Sequence, residues 1–208
     1  MEGTHTKDVR PIASITKLMT AMVVLDSGQD LNEVIPRKLH KKTMTRQMLL
    51  DLAIVKSDNN AAKMLCDYYP TGIKGCVEAM NAKAALLNMS DTAFTDPTGR
   101  YNTNVSTAED LIKMVHAASE YTPIVHASQT YILKWPLTQK KNLEFRNTNR
   151  LVGEGYDFVV SKTGFIKSSG GCIVMMLNTV NGLRTVVLLG SKNMKTRIPE
   201  AEKLSTTF

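Results

Sequence analysis

Apolar residues recur at helical spacing through the first half of the chain. Four stretches carry them three and four positions apart, as in amphipathic helices: 45–55, 60–69, 73–88 and 106–118. The last opens with Ser106-Thr107-Ala108-Glu109, which has the pattern of a capping box. A further run from Lys17 to Leu25 is apolar around most of the helix circumference, and Asp26-Ser27-Gly28 ends it. This run predicts a helix that is buried on nearly every side.

The pattern changes to strands after about residue 129. The strand-like segments are 130–135, 143–152, 158–165 and 172–190, and Asn181-Gly182 inside the last one predicts a hairpin turn. We therefore expect an α+β fold, with an antiparallel sheet flanked by helices and a helical subdomain. Because no linker, repeat or low-complexity run divides the chain, residues 1–208 are interpreted as one domain. Its helical part would be about 29–128, and its sheet part would be 129–208 together with the buried helix 14–27.

Composition narrows the possible partners. The chain has 208 residues, 43% of them hydrophobic, which is enough for a sizeable core, and a net charge of +7. The basic clusters Lys38–Lys42 and Lys140-Lys141 could attract an anionic polymer, although solvated surface faces are the preferred interpretation. Aromatic residues are 6% and do not interleave with these clusters, so no nucleic-acid partner is expected. Neither a signal peptide nor a transmembrane segment is visible.

Cysteine and histidine give no metal-binding pattern. The three cysteines have no zinc-type spacing and the four histidines form no ligand set, so no metal or cofactor is predicted. Cys66 and Cys76 could pair in an oxidising compartment. Buried free thiols are nevertheless the expectation for all three cysteines.

Ser14-Ile15-Thr16-Lys17 stands at the start of the buried helix. Side chains three residues apart lie on one helix face, so Ser14 and Lys17 should be neighbours. The free N–H groups at a helix start favour a developing negative charge. Burial in an apolar helix lowers the pKa of a lysine and lets its neutral amine act as a base. The alternative is that Ser14 only caps the helix and Lys17 extends to the surface.

Two further motifs follow in order. Ser57-Asp58-Asn59 lies between two predicted helices, where it can point a hydroxyl and an amide into a cleft or simply cap the second helix. Lys162-Thr163-Gly164 lies on the first of three predicted antiparallel strands. Gly164 would let a substrate backbone approach and add to the sheet as a strand. The alternative is a strand end followed by a turn.

In this order the three motifs resemble those of the low-molecular-mass penicillin-binding proteins, the serine D-alanyl-D-alanine peptidases. The chain looks most like the D,D-endopeptidases of the penicillin-binding protein 7 type. The resemblance spans about residues 9 to 190 and implies the fold of β-lactamases and penicillin-binding protein transpeptidase domains. The family places two strands ahead of the nucleophile helix, and the residues before Ser14 give no pattern for them; the stretch 35–45 looks shorter than in the family. Further segments that carry the likeness are Arg10–Ala13, Thr95–Gly99, Asn104–Ala108 and Arg146–Asn149.

The resemblance also implies roles on the helical side of the site. Ser14 would be the nucleophile and Lys17 its general base. Ser57 would relay a proton to the leaving amine, while Asn59 would hold the substrate amide and Lys17.

On the strand side, the resemblance assigns substrate-binding residues. Lys162 would support proton transfer and attract a substrate carboxylate, to which Thr163 would hydrogen-bond. Gly164 would leave room for the substrate strand, and the backbone N–H groups of Ser14 and Phe165 would form the oxyanion hole.

The function implied is hydrolysis of D-Ala-centred peptide cross-links in peptidoglycan through an acyl-enzyme on Ser14. Peptidoglycan stem peptides and β-lactams would be the partners, at a periplasmic or extracytoplasmic location. A D,D-carboxypeptidase that trims terminal D-Ala uses the same acyl-enzyme and stays open. A class A β-lactamase is disfavoured because residues 96–99 read Asp-Pro-Thr-Gly where a Glu-x-x-Leu-Asn loop is needed. A non-catalytic cell-wall-binding relic is the non-enzyme alternative.

Overall fold

The computed structural model describes residues 2–206. A 3₁₀ turn (Ala13–Ile15) precedes α1, and a π-helical turn (Leu52–Lys56) follows α2. The α-helices are α1 (Thr16–Asp26), α2 (Arg46–Asp51), α3 (Asn59–Asp67), α4 (Gly72–Leu86), α5 (Ala108–Ala118), α6 (Thr122–Gln129) and α7 (Arg197–Thr206). The strands are β1 (Arg10–Pro11), β2 (Val34–Leu39), β3 (Lys42–Thr45), β4 (Val105–Ser106), β5 (Ile132–Thr138), β6 (Lys141–Arg146), β7 (Asp157–Ile166), β8 (Gly170–Thr179) and β9 (Gly182–Ser191).

The main sheet is antiparallel, in the order β7-β8-β9. Asn181-Gly182 turns β8 into β9, as the sequence predicts. The pairs β1-β4, β2-β3 and β5-β6 are separate two-stranded ribbons. Of the described residues ahead of Ser14, only Arg10–Pro11 is a strand, and it pairs with β4 rather than with the main sheet. The α+β architecture is confirmed, with β7 and β9 at the two edges of a three-stranded sheet.

The core is built around α1. Every residue from Thr16 to Val24 is buried, and the helix packs against α3, α4 and α5. Leu18, Met19 and Met22 are fully buried, and each such side chain contributes about 1.5–3 kcal/mol through loss of apolar surface from water. The 3₁₀ turn at the start of α1 packs against β7 and β8. Helices α3, α4 and α5, called the helical cluster below, therefore hold α1 so that its first turn faces the edge strand β7.

The predicted helices are present with shifted bounds. The stretch 45–55 divides into α2 and the π-helical turn. The capping residue of α5 is Thr107, whose hydroxyl accepts from the Asp110 N–H, so the predicted capping box starting at Ser106 is wrong by one residue. Ser106 lies in β4, where its hydroxyl hydrogen-bonds to Thr92. The hairpin β2-β3 and the helices α6 and α7 were not predicted.

Two strand predictions need correction. The segment 143–152 is a strand only to Arg146, because the Asn147 N–H bonds to the Tyr131 carbonyl and the Thr148 N–H bonds to the Val55 carbonyl. The segment 130–135 begins later and continues past Pro136 to Thr138.

The expectation of three free thiols is wrong. Cys66 near the end of α3 and Cys76 in α4 form a disulfide, with their Cα atoms 5.5 Å apart. Cys172 on β8 is a buried free thiol. Among residues 2–206, no helix combines the length and apolar character that a membrane crossing needs.

Candidate active site

Ser14 lies where the chain turns sharply into α1. Ala13 has φ +49°, a left-handed conformation that a residue with a Cβ seldom adopts and that often marks functional sites. The Thr16 hydroxyl donates to the Ala13 carbonyl at 2.8 Å and fixes this turn. Ser14 is half-buried, and no side-chain hydrogen bond caps α1, so Ser14 is not an ordinary capping residue. Ser14 is thus held at the tip of the helix, where it is partly exposed.

Lys17 is completely buried one turn deeper. Its Nζ lies 2.7 Å from each of three oxygens: Ser14 Oγ, Asn59 Oδ1 and the Thr98 carbonyl oxygen. As an ammonium group, Lys17 donates to all three. A neutral amine has two hydrogens and one lone pair, and two of its three neighbours can only accept. The lone pair is then left for the Ser14 hydroxyl, which is the one neighbour that can donate.

The electrostatic surroundings of Lys17 favour this neutral form. Burial lowers the pKa of Lys17 from the usual 10.5 to about 7, and the carboxylates of Asp96 and Asp58 oppose that shift. A base is most effective when its pKa lies near the working pH. The structure therefore places a titrating amine in hydrogen-bond contact with the Ser14 hydroxyl, and the alternative in which Lys17 extends to the surface is wrong.

Residues 57–59 connect the π-helical turn to the first residue of α3. Ser57 has φ +59° directly after the π-helical turn, and such turns often occur at functional sites. Asp58 caps α3 by accepting from the N–H groups of Asn60 and Ala61 at 2.8 and 3.0 Å. The capping interpretation thus holds for Asp58 alone. The two flanking side chains turn elsewhere, Asn59 to Lys17 and Ser57 to Lys162.

Lys162 on β7 is the second buried lysine, with an exposed fraction of 1%. Its Nζ donates to Ser57 Oγ and to the Thr163 carbonyl, both at 2.8 Å. Burial lowers the pKa of Lys162 well below its usual range, and the positive charges of Lys17 and Arg197 lower it further. The charged form of Lys162 is therefore disfavoured.

The rest of the strand motif borders the 3₁₀ turn Ala13–Ile15. A Cβ added at Gly164 would lie 3.0 Å from the backbone nitrogen of Ser14, so the strand and the turn are in close contact. The Thr163 hydroxyl donates to the Thr148 hydroxyl at 2.7 Å. Phe165 is 38% exposed at the edge of the sheet. On the other side, Arg197 donates to the Gly164 carbonyl at 2.7 Å and holds the strand in place.

The sequence motifs fall into two hydrogen-bonded groups in one region. Ser14, Lys17 and Asn59 form the first, and Ser57 with Lys162 forms the second. The two groups meet through the continuous backbone of the 57–59 loop and through the electrostatic effect of Lys17 on Lys162. Among residues 2–206, no group of three or more His, Cys, Asp or Glu could hold a metal ion.

Sequence reasoning did not assign a role to the segment 96–104, which packs against the 3₁₀ turn before α1. Gly99 has φ +70°, and a Cβ there would lie 1.8 Å from the Ala13 carbonyl oxygen, so only glycine fits. Buried Asn104 donates to Thr16 Oγ1 at 3.0 Å and to the Asp96 carbonyl at 2.8 Å. The only signal for this segment was its likeness to the resembled family. Thr148, the partner of Thr163, carried no signal of its own.

Comparison with known proteins identifies the family of this chain. A family model described as D-alanyl-D-alanine carboxypeptidase, of peptidase family S11, matches residues 29–193. The chain belongs to this family of serine peptidases. The matched range begins after Ser14 and Lys17.

Curated relatives extend the likeness over nearly the whole chain. The D-alanyl-D-alanine endopeptidase of Escherichia coli (strain K12) is 38% identical to this chain. The match covers 97% of this chain and 70% of the E. coli protein. The D-alanyl-D-alanine endopeptidase of Pseudomonas aeruginosa is also 38% identical, over 94% of this chain and 68% of its own. Penicillin-binding protein D2 of Listeria monocytogenes, solved in the ampicillin-bound form, is 26% identical with a TM-score of 0.84. That match covers 97% of this chain and 88% of the solved one.

Proposed function

We propose that this chain is a serine D-alanyl-D-alanine endopeptidase that hydrolyses peptide cross-links of peptidoglycan and is acylated by β-lactams. The observation that carries the proposal is the 2.7 Å contact between Lys17 Nζ and Ser14 Oγ, in a chain 38% identical to two proteins named as such endopeptidases. A location outside the cytoplasm, periplasmic or otherwise, follows from the substrate.

In the acylation step, the neutral Lys17 amine takes the proton of the Ser14 hydroxyl as Ser14 Oγ forms a bond to the carbonyl carbon of the substrate. The carbonyl oxygen gains negative charge, which the backbone N–H groups of Ser14 and Phe165 would stabilise. One such donor typically contributes about 2.7–4 kcal/mol to lowering the barrier. Asn59 supports the step because its amide oxygen keeps Lys17 oriented toward Ser14.

The Ser57–Lys162 group would deliver a proton to the leaving amine. Ser57 gives its hydroxyl proton to the nitrogen as the C–N bond breaks, and the proton that Lys17 took from Ser14 then restores the Ser57 hydroxyl. Lys162, whose Nζ donates to Ser57 Oγ at 2.8 Å, orients that hydroxyl. Thr163 and Gly164 would hold the substrate as an added strand on the free edge of β7, with the Thr163 hydroxyl as a side-chain contact. Water then attacks the acyl carbonyl carbon and gives a proton to the neutral Lys17 amine. The bond from that carbon to Ser14 Oγ breaks, Lys17 returns the proton to Ser14 Oγ, and the carboxylic acid leaves.

A D,D-carboxypeptidase is the second candidate, because the matching family model carries that description. Both reactions use the same acyl-enzyme. Purified cross-linked muropeptides and uncross-linked pentapeptides separate them: release of monomers from the cross-linked substrate supports the endopeptidase, whereas release of D-Ala alone supports the carboxypeptidase.

Intact-protein mass after incubation with a penicillin tests the chemistry directly. We expect one stable adduct on the wild-type protein and none on Ser14→Ala. The matched control is Ser27→Ala, at the far end of α1, which should label like wild type. An unmodified wild-type mass would overturn the acylase proposal. Rapid turnover of the antibiotic would instead indicate a β-lactamase.

A further inference from the structure

Asp96 carries an unusual carboxylate beside the site. Its Oδ1 accepts three hydrogen bonds from the next turn of its own loop: from the Thr98 N–H at 2.7 Å, the Thr98 hydroxyl at 2.5 Å and the Gly99 N–H at 3.0 Å. Its Oδ2 is buried, and the described residues provide it with no hydrogen-bond partner. A buried carboxylate oxygen without a partner costs free energy, unless a nearby positive charge compensates for it.

Lys17 is the group that can supply this charge. Asp96 is the stronger of the two carboxylates that raise the pKa of Lys17 against the effect of burial. The two residues are also linked structurally, because Lys17 donates to the carbonyl oxygen of Thr98, and Asp96 fixes Thr98 through its amide and its hydroxyl. Asp96 therefore acts on Lys17 by charge and by geometry.

We propose that Asp96 is a positioning residue whose buried carboxylate is the counter-charge for the ammonium group that forms on Lys17 during attack. The inference rests on the proposed role of Lys17 as the base for Ser14. Before attack, the amine is neutral and Asp96 Oδ2 is uncompensated. When the proton moves from Ser14 Oγ to Lys17 Nζ, the new positive charge lies within the field of Asp96. The carboxylate thus stabilises the product of proton transfer more than the state before it.

The role of Asp96 predicts the direction in which the pH midpoint of acylation should move. Only neutral Lys17 can take the proton, so acylation should rise with pH through the pKa of Lys17, about 7. The charged groups that face Lys17 are Asp96 from the 96–99 loop, Asp58 ahead of α3 and Lys162 on β7. Without the Asp96 charge, less opposes the effect of burial, so the pKa of Lys17 falls and the midpoint moves to lower pH.

Asp96→Asn tests the role of Asp96 because asparagine keeps the Oδ1 acceptor, removes the negative charge and puts an NH2 group in place of Oδ2. The acylation rate with a penicillin is measured from pH 5 to 9 for wild type and variant. We expect the midpoint to move down by about one pH unit. The plateau at high pH should fall about three- to tenfold, because a base of lower pKa accepts a proton less readily.

Two other variants are compared with Asp96→Asn by the same pH midpoint. Asp58→Asn should shift the midpoint in the same direction by less, because Asp58 has the smaller effect on the pKa of Lys17. Asp91→Asn, an exposed aspartate on the preceding loop, should leave the midpoint unchanged. Should Asp96→Asn fail to fold, Asp96→Ser retains a short acceptor for the Thr98 N–H, and the same shift is expected of it.

The outcomes separate the two proposals. A wild-type protein that never acylates ends the proposed function itself. A wild-type protein that acylates with a midpoint near 7, together with an Asp96→Asn variant whose midpoint coincides with it, overturns the role of Asp96 alone. A lower plateau with an unmoved midpoint also overturns it, because that result indicates only a structural role in the 96–99 loop.

Discussion

The two buried lysines of the site have the same side chain and opposite surroundings. Lys17 lies inside the helical cluster with two carboxylates near it, and its pKa is about 7. Lys162 lies on the sheet, where the charges that act on it are the positive ones of Lys17 and Arg197, and its pKa is lowered well below the usual range. Burial disfavours the charged form of both, and the neighbouring charges then decide which of them can take up a proton.

This difference suits the two lysines to different roles in the proposed reaction. A lysine that titrates near neutral pH can take the Ser14 proton and hold it, which suits a general base. A lysine that resists protonation serves better as a hydrogen-bonding link, and Lys162 bonds to Ser57 and to its own strand. Attraction of a substrate carboxylate by Lys162, which the family resemblance implies, would then depend on the anion itself raising the pKa of Lys162 on binding.

Replacing Lys17 tests the comparison most severely. Lys17→Met keeps the length of the side chain and removes the amine, so we expect penicillin acylation to slow by about 10³-fold, within the usual range for loss of a general base. The melting temperature should stay the same or rise, because methionine suits an apolar helix better than a buried amine does. Acylation at the wild-type rate would exclude Lys17 as the base.

Lys162→Met is the matched change on the sheet side. We expect acylation to slow by about 10- to 100-fold, less than for Lys17→Met, because Lys162 contacts Ser57 rather than the nucleophile. Both variants are compared by the rate of mass-adduct formation at saturating penicillin. If Lys162→Met is the more damaging of the two, the assignment of the base to the helical side is reversed.

The part of the site that the sequence could predict is the part formed by local geometry. Ser14 and Lys17 are one turn apart on a helix, so their contact follows from spacing alone. Lys17 and Thr98 are 81 residues apart, and no periodicity predicts that contact. The same holds for Thr163 and Thr148, whose hydroxyls meet in the fold while the Thr148 N–H bonds to the carbonyl of Val55 in the π-helical turn.

Prediction of the fold from the sequence was limited in the same way. The predicted strand at 143–152 included Leu151 and Val152 because they are apolar, but these two are buried in a small second core with Phe158 and Ala201 rather than in a strand pair. Buried apolar residues look alike whether a strand or a loop carries them. The disulfide between Cys66 and Cys76 depends on the turn between α3 and α4, and ten residues of sequence separation do not specify that geometry.

A change at His40 is expected to have the smallest effect on acylation. His40 contacts Asp58, which lies between the residues that contact the two lysines. It lies at the tip of the β2-β3 hairpin with φ +51°, and its Nε2 is 2.8 Å from Asp58 Oδ2. Its ring also packs against Phe145, with the ring centres 4.9 Å apart. Asp58 stands between Ser57, which contacts Lys162, and Asn59, which contacts Lys17. The hairpin thus braces the one segment on which both halves of the site depend.

We expect His40→Ala to slow acylation only about threefold, because a partly exposed pair of this kind contributes about 0.2–1 kcal/mol. The control is Lys41→Ala, the exposed neighbour in the same turn, which should acylate at the wild-type rate.

Combining His40→Ala with Lys162→Met and with Lys17→Met then shows through which of the two lysines the brace from His40 acts. If the threefold effect disappears in the Lys17→Met background and persists in the Lys162→Met background, the brace acts through Asn59. The opposite pattern assigns it to Ser57, and equal loss in both shows that the loop moves as a unit.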